Sequence, residues 1–419
     1  MGPIVLFDKS FIEMLSLDEA AIFDSLYSSV ICPIFYIEVL ADLSKQPPGQ
    51  RTVEKIVADV ARKTPILHSA PNVSHATLCL AELLGDSVEL RGVPAIAGGR
   101  PVRHSDGKIG VFYGQSPEAK AFVRWQDQQF YELEREFASH WRKQLHVAKH
   151  GEAAKLTKAA LQIGASPKTL EDAYAIANEV VQGKGQRFRT LKVAYSLLGL
   201  DPRHWSAVLR RWKEAGGPSL CQYAPYTAHC LLVDVFFYVA VDKSLISPDR
   251  PSNRTDIAYY YYLPFAMMFV SNDKLHKRTA PLFLSGQQSF VSGDELKADL
   301  QALDAHYSAL PEEERSQGLF RIAAVPPNDE AFLTTRIWKH FGLKVESPTK
   351  AFAHNENKEI NDQIVAEVRK VADAAKIQQR GTFSAAELAD PDAISIERLV
   401  PLQRGKWRIM PPGVEADAE

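Results

Sequence analysis

Four acidic residues stand at comparable places in this chain. Asp8 closes the apolar run Ile4-Val-Leu-Phe7, and Asp273 closes Phe265-Ala-Met-Met-Phe-Val-Ser-Asn272. Glu38 falls in the second turn of a helix that follows Pro33, and Asp256 opens a short helical stretch. Carboxylates without His or Cys partners favour hard divalent cations, Mg2+ or Mn2+, which keep water in part of their shell. A cation held in that way orients and deprotonates water and stabilises the oxyanions of a phosphodiester displacement. One Asp after a strand is more often a helix N-cap, but four acids at successive punctuation points of one sheet argue for a shared site. Asp234, inside the apolar Leu231–Phe237, is an additional candidate ligand, with an Asp bonded to a neighbouring Tyr or Arg as the alternative. Lys274 and His276 follow Asp273 closely and could contact phosphate or assist proton transfer, but a solvated loop is the expectation for both.

The elements that must position these acids alternate between strand and helix. Residues 3–8 read as a buried strand, followed by a helix carrying Phe11, Leu15, Ile22, Phe23 and Leu26. Ser29–Cys32 reads as a second strand, stopped by Pro33 and followed by a helix to Leu43. Helices are expected at 52–61, 72–84 and 220–246, and a further strand at 265–273. Such alternation predicts a parallel sheet covered on both faces, with groups at strand C-termini meeting in one crevice.

In this order the residues resemble the PIN-like metal-dependent nucleases. That family's pattern is a strand ending in Asp, a strand-Pro-helix carrying Glu, an Asp opening a helix, and a strand ending in Ser/Thr-Asn-Asp. Here these read as Ile4-Val-Leu-Phe-Asp8, Ile31-Cys-Pro-Ile-Phe-Tyr-Ile-Glu38, Asp256-Ile-Ala and Phe269-Val-Ser-Asn-Asp273. The resemblance covers about 110 residues, 1–45 and 219–285, and the interval between Glu38 and Asp256 is far longer than a minimal domain of that kind has. It implies a three-layer α/β/α fold in which Asp8, Glu38, Asp256 and Asp273 hold Mg2+ or Mn2+ and Ser271 and Asn272 shape the loop around Asp273. It also implies endonucleolytic hydrolysis of single-stranded nucleic acid, RNA ahead of DNA because the family usually cuts RNA, in a toxin-like or phage-defence setting. A catalytically silent module of the same fold, binding or regulating a partner, is the rival reading.

The chain of 419 residues has 46% hydrophobic and 24% charged residues, which excludes disorder over most of its length. A net charge of -2, from 49 basic and 51 acidic residues, says nothing of partners, but its distribution does. Between His140 and Glu214 stand 14 Lys/Arg against 6 Asp/Glu. Arg187, Arg189, Lys192, Arg203, Arg210, Arg211 and Lys213, interleaved with Phe188, Trp205 and Trp212, could meet phosphates and stack on bases, a solvated helical lid being the alternative. The expected organisation is a discontinuous α/β domain of residues 1–90 and 215–290. Residues 91–214 form a basic, mainly helical insertion and 291–419 a helical C-terminal appendage, and Val88–Gly92 and Lys108–Tyr113 read as the two strands of a small hairpin. The amphipathic stretch 354–380 is a docking candidate for a protein partner or a second copy.

Several classes are set aside. No run is apolar enough to span a membrane, the N-terminus lacks a basic region ahead of its apolar run, and the cytoplasm is the expected compartment. The four scattered cysteines read as reduced core thiols. A haloacid-dehalogenase-type phosphatase needs a second Asp two residues after the first, where Ser10 stands. Gly98-Gly99 and Gly183-Lys-Gly185 lack the strand-to-helix context of a phosphate-binding loop, so no nucleotide cofactor is implied. Among Tyr259–Tyr262, at least two side chains are expected in the core.

Overall fold

Five short strands pair in parallel into one sheet: β1 Ile4–Phe7, β2 Ser28–Ile31, β3 Ser69–Pro71, β4 Met268–Ser271 and β5 Ser289–Ser292. The structure is a computed structural model and describes residues 2–46, 49–103, 109–147, 149–183, 185–345 and 393–410. The strand order is β3-β2-β1-β4-β5. Register places Val5 opposite Ser29 on one side and Met268 on the other, and Leu6 opposite Val30 and Phe269. Val5, Leu6, Phe7, Phe269 and Val270 are all fully buried, as near-continuous apolar strands of a parallel sheet require. The order reverses between β1 and β4, and in open sheets of this kind the crevice at such a reversal lies at the strands' carboxyl ends. Asp8 and Asp273 follow those two ends.

The first expected helix is two. α1 Lys9–Met14 and α2 Leu17–Leu26 break at Leu15-Ser16, where Ser16 and Glu19 form a reciprocal capping box. α3 Pro33–Ala41 begins with proline at its first turn, where a missing N–H costs nothing. α4 Val53–Lys63, α5 His75–Leu84, α6 Pro225–Asp242, α7 Asn253–Ala258, α8 Lys274–Thr279 and α9 Gly293–Ser308 complete the layers around the sheet. Pro225 separates α6 from the turn Leu220–Tyr223, dividing what the sequence reads as one helix. No described helix is long and apolar enough to cross a membrane.

The inserted helices share the core rather than standing apart. His150–Leu161 and Leu170–Gln182 pack along α6, and Pro117–Gln126 packs on α4 with Trp125 fully buried beside Tyr36 and Phe122. The small hairpin pairs Gly99–Arg103 with Ile109–Tyr113, so its first strand lies later than the expected Val88–Gly92. Ala393–Ile396 adds to it as a third strand, parallel to Ile109–Tyr113. The expected boundary at 290 falls inside β5, and α9 buries Leu296, Leu300 and Leu303 beside α2. Residues 354–380 lie outside the described ones. Cys32, Cys79 and Cys230 are buried free thiols, whereas Cys221 is exposed and not a core thiol. All four of Tyr259–Tyr262 are buried.

Candidate functional site

Asp8 leaves β1 and caps α1, its carboxylate accepting the Phe11 N–H at 3.0 Å. Ser10 Oγ lies 2.9 and 2.8 Å from its two oxygens, and Ser271 Oγ, at the end of β4, donates to Oδ2 at 2.6 Å. His276 Nδ1 stands 3.2 Å from the same oxygen. Burial pushes this carboxyl up. The hydrogen bond and charge of His276, with the hydroxyls of Ser271 and Ser10, outweigh that and hold it below its ordinary value.

His276 is buried on α8, so the solvated-loop expectation is wrong for it, while Lys274 at the start of the same helix is exposed. Its Nε2 is 2.8 Å from the Asp256 carbonyl oxygen, which can only accept, so that nitrogen carries a hydrogen. Ser271 has one hydrogen, given to Asp8, and its oxygen also accepts the Asp273 N–H at 3.0 Å. Nδ1, 2.7 Å from Ser271 Oγ, must therefore donate as well. The ring is an imidazolium. Burial pulls its pKa down, but the hydrogen bond to Asp8 and the charges of Asp8 and Asp256 push it up to about 9.

The other acids are coupled by charge. Glu38, half-buried on α3, accepts from the Tyr259 hydroxyl at 2.5 Å. Burial and the charges of Asp256 and Asp8 push its carboxyl up to about 7, against the pull of Tyr259 and Lys9. Asp256 on α7 is pushed up to about 6, first by burial and then by Asp273 and Asp8, with His276 and Arg250 opposing. Its Oδ2 is buried without a hydrogen-bond partner. Asp273 caps α8 through Leu275 N–H at 2.6 Å, and its Oδ2 lies 3.5 Å from Arg250 Nη2. Asn272 donates from Nδ2 to Asp294 at 3.0 Å and from its backbone N–H to Ser10 at 3.4 Å, joining the loop after β4 to α1 and α9. Asp8 and Asp273 are thus N-caps, as a lone Asp after a strand would be, and they share one electrostatic neighbourhood with Glu38 and Asp256. Among the described residues, no three His, Cys, Asp or Glu side chains stand together as a ready coordination shell.

Asp234 stands apart from this group. Its Oδ1 accepts from Arg254 Nη2 at 2.7 Å and from the Tyr261 hydroxyl, the Tyr-and-Arg alternative rather than a ligand position. Arg254 sits two residues before Asp256, so the pair anchors α7.

The basic stretch divides. Arg187, Arg189 and Lys192 lie on the helix Arg187–Leu197 beside α6, and Arg210, Arg211 and Lys213 on Trp205–Glu214 beside α5. Arg203 pairs with Asp201, Arg189 reaches Gln186 at 3.0 Å, and Arg187 reaches the Gly217 carbonyl at 3.4 Å. The Arg211 guanidinium packs against Gly85, whose φ of +117° closes α5. Lys192, Arg210 and Lys213 are exposed and have no side-chain partner among the described residues. Trp212 is buried and donates to the Pro218 carbonyl at 3.0 Å, so it is a core ring and not a base-stacking one. Phe188, 47% exposed beside Trp205 and Trp212, is the ring of this group most open to a base.

Sequence reasoning named His276 and Tyr259 without linking either to the acids. The spacing of Leu275, His276 and Thr279, all buried on one short helix, is the signal for the first, and the position three residues after Asp256 is the signal for the second. No family model, no curated protein and no solved structure matches this chain.

Proposed function

We propose that this protein is a PIN-like, metal-dependent nuclease that hydrolyses phosphodiester bonds in single-stranded nucleic acid, RNA ahead of DNA. What carries the reading is that four acids from sequence-distant elements lie near enough to repel one another, Asp8 and Asp273 at the strand ends where the order reverses, with Asp256 Oδ2 buried and unpartnered. Buried carboxylates that repel one another fit a divalent cation, since it removes the repulsion and takes the orphaned oxygen. Asp8, Glu38, Asp256 and Asp273 would hold it, oxygen ligands suited to Mg2+ or Mn2+. Bound there, such an ion supplies an activated water and charge for the oxyanions of the displacement. His276 keeps Asp8 ionised and oriented through Ser271, and the cap on α8 fixes the carboxylate of Asp273. Lys192, Arg210 and Lys213 offer free cations to the substrate backbone.

The test is incubation of the full chain with labelled single-stranded RNA, single-stranded DNA and duplex DNA under Mg2+, Mn2+ or EDTA. Cleavage that EDTA stops and that Asp256→Asn and Asp273→Asn each remove supports the reading; activity in EDTA, or in both variants, sinks it.

A silent module of the same fold is the second reading, favoured by one observation. Ser10, Phe11 N–H, Ser271 and His276 already engage both oxygens of Asp8. Mn2+-dependent stabilisation separates the two, because an ion at a hundredfold excess over its dissociation constant adds roughly 2.7 kcal/mol. A silent module whose Asp8 is engaged for structure gains nothing.

A further inference from the structure

The segment after α7 is a 3-10 turn, Tyr259–Phe265, that opens with four buried phenols, and each hydroxyl meets a different element. Tyr259 donates to Glu38 Oε2 on α3 at 2.5 Å, and Tyr260 lies 2.5 Å from Thr279 Oγ1 on α8. Tyr261 bonds Asp234 on α6, and Tyr262 accepts the His75 N–H at the start of α5 at 3.1 Å. Three residues per revolution send Tyr259, Tyr260 and Tyr261 in directions about 120° apart, and Tyr262 repeats the direction of Tyr259 one turn further along. Tyr260, Tyr261 and Tyr262 end on groups outside the acid crevice. Tyr259 alone ends on one of its four acids.

We propose that Tyr259 is a positioning residue of the crevice, whose hydroxyl fixes one oxygen of Glu38 and leaves the other to a divalent cation. This rests on the metal-dependent reading of the same acids. Among the described residues Tyr259 is the only hydrogen-bond partner of Glu38, so without it the carboxylate is held by its backbone alone. The phenol is fully buried, with its ring beside Phe269 and His276. It also stands three residues after Asp256 on one continuous helical segment, so it sets the spacing between an acid of α3 and an acid of α7. Groups that orient a ligating side chain in this way are worth 10- to 100-fold in metal affinity.

The experiment is Mn2+ binding by the full chain, read from free Mn2+ by electron paramagnetic resonance, for wild type, Tyr259→Phe and Tyr260→Phe. Each variant loses one hydroxyl and keeps its ring. The expected result is a Mn2+ affinity about 10- to 100-fold weaker in Tyr259→Phe and unchanged in Tyr260→Phe, which loses a comparable buried bond to Thr279. Equal affinities in all three proteins, or equal losses in both variants, overturn the positioning role while leaving the metal-dependent reading in place. No Mn2+ binding by wild type overturns both.

Discussion

Glu38 and Asp256 hold protons in the folded chain that they release when it unfolds, since burial and mutual repulsion push them to about 7 and about 6. Where the native state binds more protons than the unfolded one, stability falls as pH rises. In EDTA the protein is therefore expected to lose stability from about pH 4, near the ordinary carboxylate values, up to about pH 7. His276, raised to about 9, adds stability that is complete below its ordinary 6.5 and lost as pH rises through 9. Asp8 works the other way: held below its ordinary value, it stabilises above 3.8 and the gain goes as pH falls. Urea midpoints in EDTA should thus decline between pH 5 and 9, as the cited shifts require. Midpoints that climb across that range would refute the assignment. The same asymmetry separates single variants at pH 8. Asp256→Asn removes a repelled charge and should raise the EDTA melting temperature while abolishing the Mn2+-induced increase. Asp8→Asn leaves the buried imidazolium without its carboxylate and should lower it. An undiminished Mn2+ shift in Asp256→Asn would remove Asp256 from the ligand set.

At the level of elements, charge on a helix counts for binding only where the helix leaves it free. Lys192, Arg210 and Lys213 meet that condition, so replacing all three by Gln should flatten the salt dependence of single-strand binding by about two in the log-log slope. Arg211→Gln should leave that slope alone and lower the melting temperature instead, because its guanidinium covers the end of α5 at Gly85. A reversed pattern in fluorescence anisotropy and calorimetry would show Arg211 to be the phosphate contact. The elements that carry acids were legible in the sequence for a physical reason. β1, β2 and β4 are buried on both faces, so they read as apolar runs cut short by Asp8, Pro33 and Asp273. β3 is only Ser69-Ala-Pro71, and β5 is Ser289-Phe-Val-Ser292 at the other edge, too short or too polar to stand out from the loops around them. The site was legible as four acids and illegible in its connections. The link of Ser271 to Asp8 spans 263 positions and that of Tyr259 to Glu38 spans 221, so no local pattern announces either. His276 looked solvated because its burial comes from α7 and β4 packing against it, not from its own neighbours in the chain.

For the whole molecule, the reversal of strand order fixes where the crevice lies, and the far end of the chain fixes how firmly the layers around it are held. Gln403–Arg404 and Trp407–Arg408 form a two-stranded ribbon turning at Gly405, whose φ of +61° and closeness to Asp18 leave no room for a side chain. Arg404 is buried, with Nη1 3.0 Å from Asp24 on α2 and Nη2 2.6 Å from the Thr64 carbonyl after α4. Trp407 donates to Asp304 on α9 at 2.8 Å. The ribbon thus ties α2, α4 and α9 together. Asp24 also accepts the Ile66 and Leu67 N–H groups at 2.8 and 3.0 Å, so losing Arg404 would not strip it of donors. Arg404→Met should therefore cost near the low end of the roughly 3–5 kcal/mol seen when one partner of a buried pair is removed. Lys406→Met, which breaks a half-exposed pair with Asp304, should cost less than about 1 kcal/mol. Neither change touches the acids, so the Mn2+ response of both variants should match wild type once each is measured below its own transition. Urea unfolding distinguishes the cases: if Arg404→Met falls no further than Lys406→Met, the ribbon rests on the surface and the layers hold without it.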